Sequence, residues 1–228
     1  MIEINKTEVF GFEAAIRGLR NPMNSWDKSD SGECTNPHCY SGCEFISEED
    51  ECKINCFIIG DNDMALAKKL VKAGSDHRKF MRMIHVQADV LAPLYFWKQL
   101  DQYKVSTTTN STSTMHTIHK REFTLDDFSH EHLSVISEMC LMKTIEALNL
   151  YRHTFIDSKN KEAWWQMIQL LPSSYNQLRT IDLNYEVLLN IYHARKNHKL
   201  DEWSGEKGFC KWIEKLPYMS EFLGLEEE

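Results

Sequence analysis

No stretch of this sequence is apolar for long enough to cross a bilayer. Its first ten residues, MIEINKTEVF, lack the basic start and following apolar run of a secretory signal, which points to a cytoplasmic location. Positive charge is also short. Against 26 lysines and arginines stand 34 acids, a formal net charge of −8 with a pI near 5.7. Duplex affinity comes mainly from lysine and arginine on phosphates, so general nucleic-acid binding and membrane partners are not expected. A small phosphorylated ligand needs only a local cluster of donors and stays open. The chain has no Cys-x-x-Cys pair and no internal repeat.

What is present fits an ordinary globular chain. With 228 residues, 42% hydrophobic and 26% charged, it can bury a sizeable core without disulfides or metals. Residues 2–5 read as a short strand, and residues 8–20 as a helix with Phe12, Ala15, Ile16 and Leu19 on one face. Residues 21–60 are irregular. Asp61 suits the N-cap of a helix that Gly74 closes. Residues 80–91 alternate as a strand does, and Pro93 suits the first turn of a helix. The Thr- and Ser-rich stretch 104–118 favours extended structure. A long helix over about 130–157 carries Leu133, Ile136, Cys140, Leu148, Tyr151 and Phe155 on a broad apolar face, placing it centrally or at a subunit contact. A further helix over about 160–170, extended chain over 174–183, and helices over 184–196 and 207–216 complete an α+β chain. It is read as one domain, 1–228, with a cysteine-bearing insertion at about 30–58.

Two segments could carry chemistry. In PLYFWKQLDQYKVSTTTNSTSTMH, residues 93–116, a helix runs into a row of hydroxyls that includes Thr107, Thr112, Ser113 and Thr114. Such hydroxyls, with backbone amides, can hold a phosphate or a base edge; the alternative is a solvated edge strand. In LLPSSYNQLRTIDLNYEVLLNIYHARKNHKLDEW, residues 170–203, Asn184, Asn190 and Arg195 fall in one helical region. Arg195 lies at its C-terminal end, where a cation is favoured in any case.

Together these segments resemble the signature region of the flavin-dependent thymidylate synthases. That family has an Arg-Gln pair, an Arg-His-Arg triplet, seven residues and then Ser-x-Arg. Here Lys98-Gln99 stands for the pair, Gln102-Tyr103-Lys104 for the triplet, and Thr112-Ser113-Thr114 follows after seven residues. The later segment is similar to the family's leucine-proline turn, strand and helix, with Asn184, Asn190 and Arg195 on its asparagine, asparagine and uracil-binding arginine positions. The resemblance covers most of the chain outside roughly 23–59. Segments such as DHRKFMR and LLPSSYNQ also look like those of phage and prophage-type proteins.

The resemblance implies a mixed sheet packed with long helices, a homotetramer, and a cleft for deoxyuridylate and flavin adenine dinucleotide (FAD). It assigns the nucleotide to Gln99, Gln102, Thr112, Ser113, Thr114 and Arg195, with Asn190 and Arg195 as the catalytic pair. It assigns the cofactor to His77, Lys79, Tyr103, Lys104, Thr107, Asn184 and Asn190. Several phosphate-holding arginines are replaced. Gln102 cannot pair with an anion, Lys104 loses the bidentate fork, Thr114 keeps a hydroxyl without charge, and Glu186 reverses the sign of a flavin-side arginine. Arg78, Lys79 and Arg82 are candidate replacements. The alternative is a scaffold that binds a nucleotide without turnover.

The insertion reads Cys34-x4-Cys39-x3-Cys43-x8-Cys52-x3-Cys56, with His38 beside Cys39. Four thiolates, or three with the histidine, would suit structural zinc; reduced, solvated thiols are the alternative.

Overall fold

The computed structural model describes residues 2–34 and 57–225. His38, Cys39, Cys43, Cys52 and Cys56 lie outside the described residues. Of the proposed zinc ligands only Cys34 is described, and it is half-buried. Among the described residues no group of three or more His, Cys, Asp or Glu is placed to hold a metal ion, and no helix is long and apolar enough to cross a membrane.

The elements in chain order are β1 (Glu3–Phe10), α1 (Phe12–Arg20), β2 (Gly32–Glu33), β3 (Phe57–Ile58), α2 (Asp61–Lys72), β4 (His85–Pro93), α3 (Leu94–Leu100), β5 (Thr107–Ser111), α4 (Val135–Ser158), α5 (Lys161–Leu170), β6 (Asn176–Asn184), α6 (Tyr185–Arg195), α7 (Asp201–Ser204), α8 (Phe209–Glu214) and α9 (Met219–Leu223). Four strands form a sheet in the order β1-β4-β6-β5, and β2 pairs antiparallel with β3. The α+β reading holds.

The chain divides into two compact units, each built from separate stretches of sequence. One comprises Met1–Glu3, Asp89–Tyr103 and Thr109–Thr180; the other comprises Ile4–Ala88, Lys104–Thr108 and Ile181–Glu228. In the first, Leu141, Ile145 and Leu148 of α4 pack with Ile118, Phe123, Phe128 and Met167. Tyr151, Phe155, Trp164 and Tyr175 lie against that core. In the second, Phe12, Tyr185, Tyr218 and Phe222 meet edge to face, with ring centroids 5.4–6.2 Å apart. The buried Tyr185 hydroxyl donates to the Pro217 carbonyl at 2.8 Å, so the ring is buried without stranding its polar end.

Several boundaries differ from the sequence reading. Residues 8–10 continue β1, because β1 pairs with β4 and sheet pairing overrides the local helical pattern. Gly11 makes the break at φ +99, where a Cβ would run into the Met83 carbonyl. Residues 79–83 form a 3-10 turn, and β4 begins only at His85. The long helix starts at Val135, with the Ser134 side chain accepting from the Ser137 amide. Leu133 therefore precedes it, and Ile136 and Cys140 are exposed, so the buried stripe is Leu141, Ile145 and Leu148.

Asp61 is the first residue of α2 and not its cap. The acceptor is the Asp30 carboxylate, which takes the amides of Asn62 and Asp63 at 2.9 and 3.1 Å. Asp63 itself is wholly buried. Its carboxylate accepts from Arg20 Nε at 2.6 Å, from the Ser29 and Ser31 hydroxyls at 2.7 and 2.6 Å, and from two backbone amides. Burial alone would raise this carboxyl, but the Ser31, Ser29 and Arg20 hydrogen bonds together hold it below its ordinary value. Removing one member of a buried ion pair strands the other charge. Arg20→Ala is expected to cost about 3–5 kcal/mol in urea unfolding. A loss under about 1 kcal/mol would show that the serines alone satisfy Asp63.

Candidate functional site

In the second unit, the segment before β4 meets α6. Asn184 ends β6 and caps α6, its side chain accepting from the Val187 amide at 3.0 Å. The second residue of the helix is Glu186, which is buried. Its carboxylate accepts from Arg78 Nε at 3.4 Å and from Arg82 through both Nε and Nη2, the latter at 3.3 Å. Arg78 Nη2 also donates to Asn190 Oδ1 at 2.8 Å. Residues 186 and 190 are one turn apart, so α6 presents both acceptors to the same guanidinium.

Burial alone would raise the Glu186 carboxyl. The hydrogen bond and charge of Arg82, followed by those of Arg78, outweigh it and hold the group below the usual carboxylate range. The same pair holds the Arg82 guanidinium above its ordinary value. Arg78 and Arg82 are thus cations already paired with an internal carboxylate, while Asn190 is held in place at the surface. His77 and Lys79 flank Arg78 and are exposed. Arg195 lies near the end of α6, with its guanidinium 5.3 Å from the centroid of the buried Trp203 ring. Lys104 is exposed, and Thr107 Oγ1 is buried with no hydrogen-bond partner among the described residues. A third acidic and basic group lies on β4 and β6. His85 Nδ1 is 2.8 Å from Asp182, which also accepts from Gln87 at 2.9 Å, and Phe10 stacks on the imidazole.

In the first unit, the hydroxyl row is tied to β6. The Thr112 amide donates to the Leu178 carbonyl at 2.9 Å, and the Gln177 side chain donates to the Thr112 carbonyl at 2.7 Å. Ser113 turns the chain, its hydroxyl accepting from the His116 amide and its carbonyl from the Thr117 hydroxyl. Thr114 follows, half-buried. Behind them stands a group the sequence reading missed. Arg179 donates to Gln177 Oε1 at 3.0 Å, pairs with Asp101 at 2.8 Å and lies 4.4 Å above the Trp97 ring. Trp97 Nε1 in turn donates to the carbonyls of Ala92 and Gln177. An arginine within an alternating strand was the available signal. Gln99 is half-buried in the last turn of α3; beyond the helix Gln102 is exposed and Tyr103 half-buried.

The arrangement offers hydroxyls, amides and one exposed asparagine for hydrogen bonding. A diphosphate would have to compete with Glu186 for Arg78 and Arg82, so the described residues do not present a ready pyrophosphate cradle.

No protein-family profile and no curated protein matches this chain. Among solved structures, two of the flavin-dependent thymidylate synthase ThyX from Helicobacter pylori, each with FAD and dUMP, align with TM-scores of 0.63 and 0.60. They cover 98% and 97% of this chain and 97% of their own, at 15% identity. The chain has the fold of the flavin-dependent thymidylate synthases, as the motif order implied.

Because the folded Glu186 carboxyl titrates below its unfolded value, its pairing stabilises the protein above about pH 4.3 and is lost as pH falls through the lowered value. Arg82 is half-exposed, so the contribution is modest. Glu186→Gln is expected to lose about 1 kcal/mol at pH 7. The gap from the unmodified protein should close in acid unfolding curves below about pH 4.

Proposed function

We propose that this chain binds a uridylate-type nucleotide, using the thymidylate synthase-like fold as a recognition scaffold. The observation that carries the reading is Asn190, held at the surface of α6 by Arg78, with Arg195 at the end of the same helix. The hydroxyls of Thr112, Ser113 and Thr114 and the amide of Gln99 are the further donors and acceptors the reading assigns to the nucleotide. The H. pylori enzymes of this fold carry dUMP and FAD, which supports a nucleotide as the small-molecule partner.

Binding without turnover is the second reading, and Glu186 favours it. A flavin's pyrophosphate needs cations, and here Arg78 and Arg82 already share the carboxylate of Glu186, which cancels one of their two charges. Flavin can still bind by displacing or protonating Glu186, at reduced affinity. If flavin does bind, it supplies the hydride chemistry, and the residues of this chain position its partner.

Calorimetry with dUMP is expected to show binding that Asn190→Ala weakens by about tenfold, the loss of a hydrogen bond or two. Heat-silent titrations of dUMP, uridine and related uridylates would overturn the nucleotide reading. For the flavin, Glu186→Gln should tighten FAD binding by about tenfold or more in a fluorescence-quenching titration, because it removes a competing charge. Equal FAD affinity in both proteins would rule out Glu186 as the limiting group.

The reading also includes self-association. Val135, Ile136 and Met139 of α4 are 75%, 76% and 64% exposed, an apolar strip on a helix whose other side is core. Ile136→Glu is expected to lower the mass measured by sedimentation equilibrium. A monomeric mass for the unmodified protein would refute self-association.

A further inference from the structure

The net charge of −8 makes any clustering of basic side chains in this molecule conspicuous. One occurs in the second unit where α2, α6 and α9 meet, around a pocket of about 190 Å³. Lys68 and Lys72 line it from α2, Arg78 from the 3-10 turn, His193 from α6, and Glu221 from α9. Val71, Leu189 and Phe222, all buried, form its apolar wall. Lys72 has no hydrogen bond or ion pair among the described residues, and neither has the imidazole of His193. Arg78 spends Nε on Glu186 and Nη2 on Asn190, which leaves Nη1 without a partner among the described residues. Three unspent donors therefore line one small concavity.

The geometry points to a binding site for a dianionic group, a phosphate or phosphate monoester, held by Lys72, Arg78 and His193. The apolar wall would take a short carbon body attached to it. A point charge such as Lys72 and a guanidinium edge are the donor types that hold phosphate. The site touches the nucleotide reading only through Arg78, whose Nη2 holds Asn190; Lys72 and His193 take no part in that reading.

His193 supplies a local readout. Partial burial, then the charges of Lys196 and Arg78, hold its imidazole below the ordinary value. Among the described residues, Lys68, Lys72 and Glu221 also line the pocket, and Glu186 stands behind Arg78. A bound dianion would reverse that balance and raise the imidazole value.

The test uses sulfate, whose charge does not change between pH 5.5 and 8, so that any pH dependence belongs to the protein. The full chain is titrated by ¹H–¹⁵N NMR of its histidine side chains with and without sulfate. The His193 midpoint should move upward, with sulfate affinity rising as pH falls. Lys72→Ala, an exposed position that leaves the core intact, should weaken sulfate at least tenfold. Inorganic phosphate and glycerol phosphate at pH 6 then separate a bare anion site from one that also uses the apolar wall; tighter binding of the ester is expected. A His193 midpoint indifferent to sulfate, or unchanged sulfate affinity in Lys72→Ala, would overturn the proposal. Loss of dUMP binding elsewhere would not move either readout.

Discussion

The pairing of Glu186 with Arg78 and Arg82 sets the chemistry of the α6 face. It joins two segments 108 and 104 positions apart in sequence and fixes the turn that leads into β4. It also determines what that face can hold. A carboxylate between two guanidiniums satisfies the edges turned toward it as a phosphate would, so Arg82 Nε and Nη2 and Arg78 Nε are taken up by the fold, and Arg78 keeps only its Nη1 for a ligand. Asn190 gains from the same contact, because the guanidinium that reaches Glu186 also orients its amide oxygen.

A second constraint lies at the other end of α2. The Asp63 carboxylate gathers Arg20, Ser29, Ser31 and two amides, while Asp30 caps the helix from outside it. A wholly buried charge is tolerable only with such full hydrogen bonding. The arrangement anchors α2 against α1 and places Lys68 and Lys72 on the outward part of the helix. Local capping thus bears on where the cations of the second unit stand.

Much of the fold could be read from residue pattern. The α2, α5 and α6 helices and the extended segments at β5 and β6 follow from periodicity and breakers such as Pro172 and Gly74. The β1 boundary could not, because residues 8–10 match a helical repeat locally and only pairing with β4 makes them strand. The broad apolar face of α4 is core over only part of its length among the described residues. Ile136 and Cys140 share its hydrophobic pattern with Leu148, yet only the C-terminal part has a packing partner in α5 and the Phe123–Phe128 segment. Amphipathic spacing shows that a face is apolar and not what covers it.

For the candidate site, sequence alone determined the residue types that the family resemblance is read from: Asn184, Asn190 and Arg195, the Gln102-Tyr103-Lys104 and Thr112-Ser113-Thr114 triplets, and an acid at 186. It also determined the acidic balance that makes a small ligand a better partner than a duplex. Tertiary structure decided which of those groups are free to act. Asn184 is spent on capping α6, Arg78 and Arg82 are tied to Glu186, and Arg179 is engaged by Asp101, Gln177 and Trp97. Spacing fixes neighbours within an element, but the partner of a charge is set by chain segments a hundred residues away. Availability to a ligand is therefore a property of packing.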